Sequence, residues 1–225
     1  MSKRRIKSLP GCFAILFASV VLTVSPAVGI DGTEVIDKMQ NRFEDLRTLS
    51  ARFTKSHYWK LADQKREIKG ELFVERPDRF RFETKVQTVV TDGETAWNYS
   101  RANEQVLVSR YDTVKEDRSY EKLLFDLILL GGYSDQYVPR YLGEDKIERK
   151  DCYLVELKAR AEDEYITRIR LWVDRKLWLV RKVEYVNINE DVTAHILSDL
   201  KVNKDPNDDL FTFQVPKGVE SIDLR

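Results

Sequence analysis

Residues Val74–Lys85, with the sequence VERPDRFRFETK, end in a regular alternation of apolar and charged side chains. Successive side chains of a β-strand point to opposite faces of a sheet, so this pattern predicts a strand with one apolar and one solvated face. The apolar face carries Phe80, Phe82 and Val86. The solvated face carries Arg79, Arg81, Glu83 and Lys85. A sheet made of such strands covers an apolar interior.

The first 29 residues have the layout of a secretory signal peptide. A basic start at residues 3–7 precedes an apolar run of 13 residues, Cys12–Val24, and small residues follow Pro26. An uncleaved membrane anchor is the alternative. It is less favoured because a spanning helix needs roughly 18 apolar residues and because Pro26 interrupts the run. We therefore predict a signal peptide at residues 1–29 and one exported domain at residues 30–225.

The composition of the predicted mature chain excludes some classes of partner. Removing residues 1–29 takes away four of the 38 basic residues and leaves 34 against 38 acidic ones. A mildly acidic domain argues against nucleic acid as the main partner. Cys152 is the only cysteine of residues 30–225, so no internal disulfide is predicted. Cys12 stands at the start of the apolar run instead of following it, which argues against a lipid attachment site there.

The hydrophobic period indicates one helix followed by a large sheet. Thr33–Leu49 carries apolar residues at three- and four-residue spacing, which predicts an amphipathic helix. The period then changes to two, and the predicted fold is mainly β (α+β), an unclosed curved antiparallel barrel of about eleven strands. The predicted strands lie near residues 49–58, 66–75, 79–86, 88–91, 95–100, 105–109, 152–159, 165–173, 177–186, 192–202 and 210–215.

A second helical segment, Tyr120–Leu130, interrupts the strands and is apolar on nearly every side. Such a helix is either buried or in contact with something else apolar. It could plug the sheet as ordinary core, or it could be a lid over a cavity that holds a guest. Periodicity alone does not decide, and on that ground the plug is favoured.

Five short motifs in order resemble the LolA family of outer-membrane lipoprotein carriers. They are Gly70-x-Leu72-x-Val74-x-Arg76-Pro77-x-x-Phe80-Arg81-Phe82, Val90-x-Asp92-Gly93-x-x-x-Trp97-x-Tyr99, Gln105-Val106, Leu171–Lys176 and Phe211-x-Phe213-x-x-Pro216-x-Gly218-Val219. The resemblance covers most of residues 33–223. It implies an unclosed antiparallel barrel with a helical lid over an apolar cavity.

The resemblance also implies a function and partners. Such carriers are periplasmic, catalyse no reaction and need no cofactor. They take acylated lipoproteins from an ATP-driven release complex of the inner membrane to an outer-membrane lipoprotein acceptor. We expect a monomer. The alternative is a periplasmic sensor or binding module of the same fold, which recognises a lipoprotein or a protein partner without shuttling it.

The resemblance assigns Arg76 the role of a latch that ties the barrel to the lid by hydrogen bonds. An exposed arginine at a strand end is the alternative reading of this residue. The candidate cavity and lid residues are taken from the apolar faces near the motifs and from the lid. They are Phe80, Phe82, Val86, Val90, Trp97, Leu123, Leu127 and Ile128.

The sequence contains little that indicates a catalytic or a metal-binding site. The two histidines of the mature chain, His57 and His195, lie in separate predicted strands, and neither belongs to a His-Glu-x-x-His motif. No Gly-x-Ser-x-Gly motif or phosphate-cradling glycine loop occurs. Cys152 has no histidine near it in sequence, and an inert thiol is the default reading. We therefore predict no catalytic residue and no metal site.

Overall fold

The computed structural model describes residues 30–112, 137–160 and 165–225. The predicted signal peptide at residues 1–29 lies outside these ranges, and so does the predicted lid at residues 120–130 with Leu123, Leu127 and Ile128.

Helix α1, Gly32–Glu44, opens the described part of the chain; the spacing predicts this helix, but it ends before the predicted bound at Leu49 because the first strand starts at Thr48. Asp31 caps its first turn, because the carboxylate accepts a hydrogen bond of 2.8 Å from the backbone N–H of Glu34. Lys38 and Glu34 form an ion pair one turn apart on the solvent side. The opposite side of the helix is buried and contains Val35, Ile36, Met39 and Phe43.

The described residues form a single sheet of twelve strands. The order across the sheet is β12-β6-β5-β4-β3-β2-β1-β11-β10-β9-β8-β7, so within these residues β12 and β7 form the two edges and the barrel is unclosed. All neighbours are antiparallel except β12, which runs parallel to β6. The strands are β1 Thr48–Trp59, β2 Gln64–Glu75, β3 Arg79–Thr84, β4 Gln87–Thr91, β5 Thr95–Ser100, β6 Gln105–Arg110, β7 Tyr137–Ile147, β8 Lys150–Ala159, β9 Ile166–Asp174, β10 Val180–Asn187, β11 Val192–Val202 and β12 Glu220–Asp223.

The predicted fold class is confirmed, with two differences in the strands. Strand β7 has no counterpart in the sequence prediction. Residues 210–215, predicted as a strand, do not form one: residues 210 and 211 belong to a short 3-10 helix, Asp208–Phe211, which Asn207 caps through its side chain, and residues 212–215 follow it without regular structure. The last strand of the chain is β12, five residues beyond the predicted one.

One face of the sheet, here called the inner face, packs against α1. Residues directly opposite each other in neighbouring strands share a face. The register therefore places Leu49, Leu72 and Phe80 together on the inner face. Two buried clusters occupy this face, one under the first half of α1 and one under its end. The helix therefore contributes side chains to both clusters.

The opposite face, here called the outer face, is covered in part by the C-terminal segment. Phe211 is fully buried, and the guanidinium of Arg79 lies 4.5 Å from the centre of its ring. Arg81 donates a hydrogen bond to the carbonyl oxygen of Leu210. The charged residues that alternate with Phe80 and Phe82 therefore hold the C-terminal segment against the sheet instead of facing only water.

Candidate functional site

The inner face of β1–β4 forms an apolar surface that extends from α1. Phe82 and Val89 lie opposite each other in β3 and β4 and are partly buried against the cluster that contains Phe43. Phe80 is buried in the same cluster. Apolar side chains that are only partly covered can accept a further apolar group, so this is the candidate site for an acyl chain.

A stacked pair of rings lies at the centre of this surface. The rings of Phe53 and Phe82 have centres 4.7 Å apart and planes inclined by 17°. Gly70 makes this stacking possible, because a Cβ at that position would lie 2.5 Å from the Phe53 ring and 2.2 Å from the Glu83 carbonyl oxygen. Gly70, the glycine of the first motif, is therefore required for the close approach of the Phe53 ring and the Glu83 carbonyl oxygen to the backbone at this position.

Arg76 connects the sheet to α1. Its Nη1 donates a hydrogen bond of 3.0 Å to the carbonyl oxygen of Phe43, in the last turn of the helix, and its guanidinium lies 5.5 Å from the Phe43 ring. The backbone N–H of Arg76 donates to the carbonyl oxygen of Arg47. A cation at a helix C-terminus also complements the helix dipole. Within the described residues the sequence-predicted latch therefore holds α1, whereas its contact with a lid at residues 120–130 remains a prediction.

Three further sequence-predicted cavity residues that the structure describes, Val86, Val90 and Trp97, do not share the surface of Phe80 and Phe82. Val90 lies opposite Arg81 and Trp97, so both Val90 and Trp97 belong to the outer face. Val86 lies between β3 and β4 and is 53% exposed. The predicted set is thus not one surface.

Sequence reasoning missed a groove at the far end of the inner face. Beyond Phe53, the inward positions of β1 change from apolar to Lys55, His57 and Trp59. These residues line a groove of about 350 Å³ together with Arg66 of β2 and residues of β10 and β11. The sequence does contain a signal for this groove. The alternation of side chains in β1 continues without a break from Leu49, so it places Lys55, His57 and Trp59 on the same face as the apolar residues before them.

Two described residues with potentially reactive side chains, Cys152 and His195, are each held in an uncharged form. Burial raises the pKa of the Cys152 thiol to about 11, so it is protonated at neutral pH. Burial, with the nearby charge of Lys55, lowers the pKa of His195 to about 3, so its imidazole is neutral. Within residues 30–112, 137–160 and 165–225, no group of three His, Cys, Asp or Glu residues could hold a metal ion.

No helix within the described ranges combines the length and the apolar character that crossing a membrane requires.

Comparisons with known proteins agree with the motifs. The model of the family "Outer membrane lipoprotein carrier protein LolA" matches residues 44–214. The outer-membrane lipoprotein carrier protein of Aeromonas salmonicida is 26% identical over 214 residues, which cover 94% of this chain and 98% of the relative. That of Vibrio parahaemolyticus is 27% identical over 215 residues, which cover 94% and 97%.

A solved structure supports the fold. A crystal structure of an uncharacterized conserved protein from Thermus thermophilus matches with a TM-score of 0.57 at 11% identity, and the match covers 85% of this chain and 98% of that one. At that identity the likeness concerns the fold alone. The family model spans three quarters of the chain, including α1's last residue and strands β1 to β11. The chain therefore belongs to the LolA family of outer membrane lipoprotein carrier proteins.

Proposed function

We propose that this protein binds the acyl chains of lipoproteins on the inner face of its sheet and carries them through the periplasm from the inner to the outer membrane. The observation that carries the proposal is the partly covered apolar surface of Phe82 and Val89, beside the buried Phe53, in a chain of this family. The protein acts by binding and release, without a covalent step.

The energy of acyl burial sets what the site has to do. Each buried methylene is worth about 0.8 kcal/mol, so one chain of about sixteen carbons left in water costs on the order of 12 kcal/mol. A carrier has to recover most of this free energy while it crosses an aqueous compartment. It also has to bind the chains less tightly than the final acceptor does, because transfer would otherwise stop.

The contact of Arg76 with α1 fits a closure that cargo can open. One hydrogen bond from a charged donor contributes about 1.5 to 3 kcal/mol. This is small beside the free energy of burying an acyl chain, so the bond would not by itself keep an acyl chain from the inner face. The predicted lid residues Leu123, Leu127 and Ile128 would add to the same apolar surface.

The proposed partners follow from this route. They are acylated lipoproteins, the ATP-driven release complex of the inner membrane and an acceptor in the outer membrane. We propose a monomeric carrier, exported by a cleaved signal peptide at residues 1–29.

The test measures release of a fluorescently labelled, acylated lipoprotein from spheroplasts by the purified protein. Phe82→Gln should reduce release strongly, because it places an amide on the inner apolar surface. Phe73→Gln is the matched control, since Phe73 is also partly buried but lies in the neighbouring strand on the outer face. Release that does not exceed a control without protein would refute shuttling. If the protein nevertheless bound the acylated lipoprotein, it would be a binding module or sensor instead.

A further inference from the structure

Strand β2 extends beyond its neighbour β3. On one side, β2 pairs with β1 along its whole length, from Gln64 to Glu75. On the other side, the pairing with β3 begins only at Gly70, opposite Thr84. In the part of the chain that the structure describes, residues 64–69 therefore have a partner strand on one side alone. Their unpaired side is here called the open edge.

The hydrogen bonds between β1 and β2 show which residues face the open edge. In an antiparallel pair, every second residue bonds to the partner strand, and the residues between direct their N–H and C=O groups to the other side. The backbone N–H of Arg76 donates to the carbonyl oxygen of Arg47 over 2.9 Å, which continues the pairing of β2 with β1 by one residue. That pairing has no shift in register, so the even-numbered residues of β2 bond to β1. The backbone groups directed to the open edge belong to Lys65, Glu67 and Lys69.

The turn after β3 prevents that strand from covering the open edge. The hydroxyl of Thr84 accepts hydrogen bonds from the backbone N–H groups of Val86, over 3.3 Å, and Gln87, over 3.0 Å. Arg101 donates from Nη1 to the carbonyl oxygen of Thr84 over 2.7 Å, and its backbone N–H donates to the carbonyl oxygen of Val86 over 2.9 Å. These bonds turn the chain from β3 into β4, away from β2. The open edge is therefore a consequence of the fold.

The strand behind the open edge is held in an extended conformation. β1 lies behind β2 and itself pairs with β11 as far as Tyr58. Beyond that point, Lys60 forms an ion pair with Glu190, and its backbone N–H donates to the carboxylate of Asp191 over 3.0 Å. The odd-numbered residues of the open edge are exposed. An extended strand with exposed, unpaired backbone groups is a template for the addition of another strand.

The open edge adjoins the apolar surface proposed for the acyl chain. Phe82 and Val89 form the partly buried part of that surface. Thr84, where the open edge begins, lies two residues beyond Phe82 in β3, which corresponds to about 7 Å along a strand. A peptide that starts at an acyl group beside Phe82 and continues the direction of β3 would run along residues 64–69. It would be antiparallel to β2, as β3 is.

We infer that the open edge binds the polypeptide segment attached to the acyl group of the cargo, as an added antiparallel strand. The inference rests on the proposed function, because it takes the acyl group to lie beside Phe82. Main-chain hydrogen bonds give affinity that does not depend on the side chains of the added strand. Such a contact suits a carrier whose cargo proteins differ in sequence. Residues 64–69 span about 20 Å, enough for a peptide of about six residues.

A second copy of the chain fits the open edge less well than a peptide does. Antiparallel pairing of two copies over the whole edge would place Lys65 opposite Lys69 of the second copy, and Glu67 opposite its counterpart. Like charges directly opposite each other on neighbouring strands are destabilising. Charged side chains on an edge strand oppose this kind of self-association. A peptide with uncharged side chains meets no such repulsion.

The test asks whether the backbone of a bound peptide is used at every second residue. The ligand is an N-octanoyl hexapeptide amide of alternating serine and threonine, and N-octanoyl glycinamide reports acyl binding alone. Isothermal titration calorimetry with the full mature protein would compare the hexapeptide with two analogues, N-methylated at the odd or at the even positions. Only one set of N–H groups can point to β2. One analogue should therefore bind at least tenfold more weakly, since each lost hydrogen bond is worth about fivefold, and the other should bind as the parent does.

A pair of variants at one position tests the protein side of the contact. Glu67→Pro removes an N–H group in the middle of the open edge, and it leaves the bonds to β1 intact because this N–H group points away from β1. It should weaken the binding of the octanoyl hexapeptide about fivefold. Unchanged binding of octanoyl glycinamide would show that the variant is folded. Glu67→Ala is the matched control, because it removes the same charge but keeps the N–H group, and it should bind both ligands as the wild type does.

The outcomes separate this inference from the carrier proposal. If octanoyl glycinamide binds but the two methylated analogues bind equally, the open edge is not used and the acyl site stands. If neither octanoyl ligand binds, acyl binding itself is refuted, and the inference falls with it. If the free protein forms a dimer that Glu67→Pro dissociates and Glu67→Ala does not, the occupant of the open edge is a second copy, and the inference is overturned.

Discussion

The contact between Arg76 and α1 can be measured by removing its charge. Arg76→Met keeps the length of the side chain but loses the hydrogen bond from Nη1 to the Phe43 carbonyl oxygen. That oxygen also accepts from the backbone N–H of Leu46, so the end of α1 depends on it twice. A hydrogen bond from a charged donor contributes about 1.5 to 3 kcal/mol, and we expect the partly exposed Arg76 to lie near the lower end, at about 2 kcal/mol.

The assay is urea unfolding, combined with hydrogen exchange of the α1 amides. Arg76→Met should lower the free energy of unfolding by about 2 kcal/mol and should speed exchange in residues 41–46 more than in the sheet. Arg52→Met is the control, because Arg52 pairs with Asp199 while both side chains are more than half exposed. Such a surface pair contributes about 0 to 1 kcal/mol. Equal destabilisation by the two variants, with unchanged exchange in α1, would refute the role of Arg76.

Three further predictions concern the sheet that carries the site. Gly70→Ala should destabilise the protein by about 1 to 3 kcal/mol, because its Cβ would lie 2.2 Å from the Glu83 carbonyl oxygen; an unchanged melting temperature in circular dichroism would contradict this. Because the pKa of His195 is lowered from 6.5 to about 3, the unfolded state binds the extra proton as the pH falls below 6.5. Wild-type stability should therefore fall by up to about 1.4 kcal/mol per pH unit from there towards pH 3. Urea titrations at several pH values should show a smaller fall in His195→Leu, and parallel curves would contradict the prediction. Asp174→Asn should cost about 3 to 5 kcal/mol in chemical unfolding, because it leaves the buried Arg181 without the carboxylate that it contacts over 2.9 Å; a cost below about 1 kcal/mol would show that the pair is not needed.

Most of the sheet could be predicted because its strands alternate clearly between apolar and polar residues. β7 could not, since its burial pattern does not alternate and a bulge near Gly143, which has a positive φ of 126°, breaks its register. The alternation of Phe211 and Phe213 suggested a strand, but the cap formed by Asn207 starts a 3-10 helix there. Phe211 is therefore buried against the outer face from a 3-10 helix.

The sequence predicted which candidate residues share a face only where they lie in one strand. Phe80 and Phe82 share a face, as their spacing indicates. Arg76 contacts α1, and its predicted tie to the lid at residues 120–130 stays a prediction. Val86 and Val90 continue the same even numbering, but Thr84 bonds to Gln87 across the turn, and the odd residues of β4 then face inward. The geometry of a turn decides which face the even-numbered residues of the next strand occupy. The alternation within one strand therefore does not predict which residues of the next strand face inward.

The central claim is that acyl chains bind to the inner face. A photoreactive benzophenone side chain at position 82 or at position 73 would be illuminated with an acylated lipoprotein bound. Both positions hold partly buried phenylalanines of neighbouring strands, one on each face. We predict crosslinks to the acyl chains at position 82 and almost none at position 73. Equal crosslinking at the two positions, or crosslinking mainly at position 73, would contradict the claim.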